Sequence, residues 1–164
     1  MLEWVLIAIA VAAGGGGDAG DRSGSGAATA AIDVPGGPYR AEDQTPSGQF
    51  TTAGEVRPIL GMTKANWVAL REYDGQDLLY VTHLMAWRCG LHEVRYAVNG
   101  GPMRVWPMPP CLEGTAQPNA IRTEDGLPFV AFGLGEVQSV RVELLYDDLS
   151  EDSHEALRQD VLMP

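Results

Sequence analysis

Positive charge is scarce in this chain: 11 Lys and Arg stand against 22 Asp and Glu in 164 residues, a formal net charge of −11. A surface for nucleic acid or anionic lipid needs clustered cations, so this balance argues against both as partners. Cysteine is nearly absent, with Cys89 and Cys111 the only two. They form no C-x-x-C pair or zinc-ribbon spacing, and neither adjoins a base in a recognisable nucleophile signature. Long apolar runs are missing too, because Trp4–Ala13 falls well short of the roughly 20 residues that cross a bilayer. No G-x-S-x-G elbow, P-loop or H-E-x-x-H occurs. Triads assembled from distant positions leave no such motif, so this weakens the case for an enzyme without excluding one.

What is present is unevenly spread. Trp4–Ala13 (WVLIAIAVAA) has the length of a signal-peptide apolar region, and Ala10-Val11-Ala12 has the small-x-small form that signal peptidase cleaves. Met1-Leu2-Glu3 carries an acid where a basic flank belongs. Residues 1–13 are therefore expected to be a signal peptide or a short apolar anchor, which places the protein in the periplasm or outside the cell. Between Gly14 and Thr52 lie 10 of the 20 glycines, with Ile32 and Val34 the only large aliphatics. Such a segment buries too little apolar area to offset its ordering entropy, and 14–52 reads as a flexible linker. Gly15, Gly17 and Gly20 with Asp33 match a dinucleotide fingerprint by spacing. The residues that follow are poor helix formers, and no helix N-terminus would face the pyrophosphate. The linker reading stands.

From about Ala53 the composition turns globular, giving a β-rich domain over 53–164. Thr52-x-x-Glu55 has the capping-box pattern ahead of Val56, Ile59, Leu60 and Met62, so a short helix is expected over roughly 55–65, with Pro58 tolerable in its first turn. The period then falls to two. Trp67–Tyr73, the Asp74-Gly75 turn and Leu78–Trp87 read as a hairpin, its second strand apolar on both faces and hence central. His92–Val98, the Asn99-Gly100 turn and Met103–Trp106 read as another. Leu127–Phe132 and Val140–Tyr146 add strands, and Leu157, Val161 and Met163 suggest a closing one. The expected fold is mainly β: a compact antiparallel β-sandwich or partial barrel with one short N-terminal helix. In an exported protein the even cysteine count reads as a Cys89–Cys111 disulfide, which would pin the Pro107–Pro110 segment.

Trp87-Arg88-Cys89-Gly90-Leu91, Tyr96–Gly101, Pro109-Pro110-Cys111, Thr115–Ile121 and Tyr146-Asp147-Asp148 together make a specific pattern. In it the chain resembles a group of small uncharacterised exported bacterial proteins over about residues 54–164. The resemblance implies export; it implies no reaction and transfers no catalytic residue.

The remaining candidates have structural readings that outweigh the functional ones. His83, Cys89 and His92 have the spacing of a soft-metal site, yet a disulfide removes the thiolate such a site needs. His154 completes the histidines. The acidic run Asp147–Glu155 could offer carboxylates to calcium, but it lacks the ordered ligand positions and turn glycine of a calcium loop and reads as a solvated hairpin turn. Trp67, Trp87, Trp106, Tyr80 and Tyr96 could form a sugar- or peptide-binding face, though core packing is the commoner fate of such rings. Trp106, beside Pro107 at a strand end, is the expected ligand or partner contact. The resulting expectation is a non-enzymatic binding or structural module with no cofactor, no metal and no membrane span. An envelope protein is its expected partner, and the oligomeric state is left open. The alternative is a metal-dependent or carboxylate enzyme using His83, His92 or the Asp147–Asp152 run.

Overall fold

The structure, a computed structural model, describes residues 32–34 and 37–164. The apolar run and the whole 14–31 glycine-rich stretch, Gly15, Gly17 and Gly20 included, lie outside the described residues, while Asp33 falls in the first strand. Strands β1 (Ile32–Val34) and β2 (Gly37–Tyr39) pair as a small antiparallel ribbon. Helix α1 (Ala53–Met62) follows, then β3 (Ala69–Tyr73), β4 (Gln76–Tyr80) and a single helical turn α2 (Thr82–Met85). After them come β5 (Leu91–Val98), β6 (Arg104–Val105), β7 (Phe129–Gly133), β8 (Ser139–Tyr146), β9 (Glu151–Leu157) and the turn α3 (Arg158–Val161).

Two antiparallel sheets make a β-sandwich, one ordered β3-β4-β7 and the other β6-β5-β8-β9. Their inner faces supply Leu70 and Leu79 from the smaller sheet, and Val94, Tyr96, Val140, Val142 and Leu144 from the larger. Val56 and Leu60 of α1 and the fully enclosed Trp67 complete one core, each large side chain contributing about 1.5–3 kcal/mol by leaving water. Trp67 keeps its polar edge satisfied by donating Nε1–H to the Leu60 carbonyl at 3.0 Å. The two hairpin turns lie where the sequence places them: Asp74-Gly75 and Asn99-Gly100 both have positive φ, as tight primed turns require.

Four local expectations need correction. The strand expected over Leu78–Trp87 ends at Tyr80, because Val81–Met85 closes a helical turn through Met85 N–H to the Val81 carbonyl. Val81, Leu84 and Met85 are all buried, and their i, i+3, i+4 spacing suits a helix as well as alternation suits a strand. The closing strand is not Leu157, Val161 and Met163 but β9, whose inward positions include the polar Asp152 and His154 and so escape an apolar count. Pro58 stands in the second turn of α1, where it has no N–H for the Gly54 carbonyl. Finally, Thr52 does not cap α1 with its side chain. The Ala53 N–H is taken by Asp147 Oδ1 at 2.8 Å, from far along the chain, and the Gly54 N–H by Gln44 Oε1 at 3.1 Å, from the segment ahead of the helix.

The ordered region also reaches back beyond the Ala53 boundary drawn from composition. Residues 40–52 lie against the domain, with Glu42 N–H donating to the Asp147 carbonyl and Tyr39 Oη–H to Glu93. Polar side chains and backbone bonds hold this stretch, which is why an apolar count assigns it to the linker.

Candidate functional site

One end of the sandwich is built by the segments that carry the sequence pattern described above. Arg88 is 2% exposed and has no carboxylate bonded to it. Its guanidinium donates instead to the backbone carbonyls of Met85, Pro110, Asn119 and Ala120 at 2.9–3.1 Å. Burial lowers its pKa, and the carbonyl dipoles compensate for the lost water. Cys89 and Cys111 are joined as a disulfide, so the 107–120 loop is anchored covalently as well. Gly90 lets α1 approach: a Cβ there would lie 2.5 Å from Val56 Cγ2 and 2.9 Å from the Thr52 carbonyl oxygen. Asn119 ties the ends together, accepting from Cys89 N–H at 2.9 Å and donating to the Phe50 carbonyl at 2.9 Å.

Against this frame sits the loop 47–52. Glu55 organises it, taking the backbone N–H groups of Gly48 at 2.7 Å and Thr51 at 3.1 Å, plus the hydroxyls of Ser47 and Thr52. Burial works against its charge, yet these donors hold the Glu55 carboxyl down at about 2. The loop presents Phe50 with φ 58°, a left-handed backbone that a bulky residue adopts at a cost of about 1–3 kcal/mol. The residue is 43% exposed, and its ring stands edge-on to half-buried Trp87, centroids 5.2 Å apart. These two rings and Pro118 line an open groove of about 450 Å³, with Gln49, Gln117 and Asn119 on its border. No charged side chain lines it. The Gln49 and Gln117 carboxamides make no hydrogen bond among the described residues and remain available to a ligand.

No protein family, curated protein or solved structure matches the chain. The groove is accordingly read from its own chemistry: two aromatic surfaces, two uncommitted carboxamides and no charge.

The residues singled out from sequence are placed elsewhere. Trp106, expected at the surface, is 3% exposed and packs on Tyr96 with centroids 5.3 Å apart, so its ring belongs to the core and cannot meet a partner. Trp67 is buried too, and Tyr80 packs at a tilt against Phe129 across the β4–β7 pair. Of the five rings named, Trp87 alone borders the groove. His83 lies on α2, not in a strand, 2.8 Å from Thr63 Oγ1. That hydroxyl donates to the Ile59 carbonyl, so His83 supplies the proton from Nε2, and burial lowers its pKa. His92 is the extra residue of a β-bulge, stacked on Tyr39 at 4.7 Å and donating Nε2–H to the Arg40 carbonyl. His154 meets the edge of Trp67. Among the described residues, no three His, Cys, Asp or Glu side chains gather as metal ligands would.

The acidic run is not the solvated turn expected of it. Only residues 147–150 form the turn, and Glu151–Glu155 belong to β9. Asp147 is 2% exposed; Oδ1 serves the start of α1 while Oδ2 is buried without a partner, and burial raises its pKa. Asp148 pairs with Arg57 and Ser150, and Asp152 with Lys64. Asp147 and Asp148 thus engage different neighbours instead of converging. Phe50 and Gln49 escape sequence reasoning because they sit in a stretch judged by its average composition. The signal that could have found Phe50 is its isolation, as the one aromatic between Tyr39 and Trp67.

Proposed function

We propose that the protein is an exported, non-enzymatic binding module whose Phe50–Trp87 groove seats an uncharged ligand, with a sugar ring as the class the lining fits. Export is supported by the resemblance, the signal-like run and a disulfide, which persists chiefly in oxidising compartments. No helix among the described residues is long and apolar enough to cross a membrane. The observation that carries the binding reading is Phe50. Phe50, left 43% exposed, sits on a left-handed backbone that lowers stability. Glu55 and Asn119 spend hydrogen bonds to keep it there, as expected of a group retained for contact with another molecule. A sugar offers C–H faces to aromatic rings and hydroxyls to carboxamides, which matches Phe50 and Trp87 with Gln49 and Gln117.

The test is a fluorescence titration of the full chain with neutral oligosaccharides, read through Trp87. Phe50→Gly relieves the left-handed backbone, which offsets the lost edge contact with Trp87, so the variant stays within about 1 kcal/mol of the parent's stability and loses binding by about 30-fold, the effect of one aromatic hot spot. Equal affinity in Phe50→Gly and the parent, or no Trp87 response to any neutral sugar, overturns the reading.

A further inference from the structure

The sandwich has four sheet edges, and three of them are protected in ways that stop other strands from adding. β3 is covered by the C-terminal residues, Met163 N–H donating to the Leu70 carbonyl at 2.7 Å. β9 carries Glu151, Asp152 and Glu155, and β6 is only two residues long, one of them Arg104. β7 has none of these devices. It lies within Gly126–Gly135 (GLPFVAFGLG), ten residues without a charge in a chain whose net charge is −11. Leu127 and Leu134 at its two ends are 71% and 57% exposed.

Its hydrogen-bonding register is fixed. Val81 N–H donates to the Pro128 carbonyl, so Pro128, Val130 and Phe132 direct their backbone groups to β4, and Phe129, Ala131 and Gly133 direct theirs outward. Gly133 is already occupied, its N–H on Glu136 Oε2 at 2.8 Å and its carbonyl on Glu136 N–H at 2.9 Å. Outside the ladder, no described group takes up the N–H or carbonyl of Phe129 or Ala131. The side chains divide the same way: Val130 and Phe132 pack on the core, while Ala131 is exposed.

We propose that β7 is a dimerisation edge to which a second copy of the chain adds its own β7 in antiparallel register. A two-fold axis at Val130 sets Phe129 opposite Ala131 of the second copy, so that each pair exchanges both backbone hydrogen bonds. The pattern is self-complementary, as an isologous interface requires. Charge selects the occupant. Two copies with this net charge repel over most of their surfaces, and this strip lets them approach without setting like charges together. A basic partner would instead be drawn to the carboxylates of β9. One short strand pair buries less than a standard interface, so the dimer is weak and reversible.

Sedimentation velocity on the full chain, from about 10 µM to about 1 mM, reads this as a doubling of mass with concentration. Ala131→Pro removes an N–H that points away from β4, which an edge strand tolerates, and keeps the chain monomeric. Ala131→Glu does the same by adding like charges at the axis, and serves should the proline variant misfold by circular dichroism. Hydrogen exchange in the parent shows concentration-dependent protection at the Phe129 and Ala131 amides. A parent that stays monomeric throughout, variants that dimerise equally, or protection confined to other amides would each overturn the proposal. So would binding of an extended apolar peptide by a chain that never self-associates.

Discussion

Asp77 is fully buried on β4, and its carboxylate is the point where the end of the chain is fastened to the small sheet. Oδ2 accepts from Arg158 Nη1 at 2.6 Å and from Val137 N–H at 3.0 Å, and Oδ1 accepts from Arg158 Nη2 at 3.0 Å. The hydrogen bonds from Arg158 are the main reason its carboxyl is held down at about 2, against 3.8 ordinarily. A depressed acid stabilises the fold above its unfolded pKa and ceases to do so as pH falls through the folded one. Here that window runs from about pH 4 to about pH 2, and the contribution is on the order of 2 kcal/mol. In Asp77→Asn an amide N–H₂ must face the guanidinium or Val137 N–H, which leaves the Arg158 charge short of its partner. Exposed Glu72 also pairs with Arg158 and softens the loss, so the variant is less stable at pH 7 by about 3 kcal/mol. Urea unfolding followed by tryptophan fluorescence measures both proteins at pH 7 and near pH 2. The gap between them must narrow by most of its width near pH 2, where the parent carboxyl is itself about half protonated. A gap of the same size at both pH values would refute the assignment of Asp77 as a charged, Arg158-paired group.

Replacing Cys89 and Cys111 together by Ala lowers stability by about 3 kcal/mol, because the bridge closes a loop across a sequence separation of 22; calorimetry of the reduced parent should give the same loss. Gly90→Ala forces its new carbon against Val56 and the Thr52 backbone, and a destabilisation of about 2 kcal/mol or more is expected in thermal melts. A melting temperature unchanged from the parent would show that α1 does not approach so closely. Burial raises the Asp147 carboxyl, so its contribution to stability falls as pH rises from the ordinary carboxylate value through the raised one. Asp147→Asn therefore flattens the stability–pH profile above about pH 4, and parallel profiles in the two proteins would count against a buried ionisable group there.

The parts of the fold that can be read from sequence are those whose physics is local. Asn99-Gly100 and Asp74-Gly75 announce their turns because the backbone conformation itself demands those residues. β5 and β8 alternate plainly because each has one face on the core, and an even cysteine count suffices for the bridge. Where the reading fails, the deciding partner is remote. Asp147 looks solvated among its neighbours, yet it serves the start of a helix some ninety residues earlier in the chain. Arg88 carries no local sign of its burial, because the carbonyls of Pro110, Asn119 and Ala120 that close over it come from a distant segment. Val81–Met85 satisfies both periods, and the choice falls to Pro128, which takes Val81 N–H but has no N–H to return, leaving the Val81 carbonyl to Met85 N–H.

The same remoteness governs the candidate site. Trp87 and residues 116–120, from the segments of the sequence pattern, form one wall of the groove, while Gly48, Gln49 and Phe50 from outside it form the other. Arg88, Cys89 and Asn119 sit directly behind the first wall, so a substitution there changes stability and groove shape together. Phe50 is separable from them. Its backbone strain opposes folding, its ring is exposed, and its carbonyl bond to Asn119 survives any side chain. At this position the demands of the fold and of the proposed ligand carry opposite signs, and loss of binding without loss of stability is the signature by which a binding residue differs from a packing one.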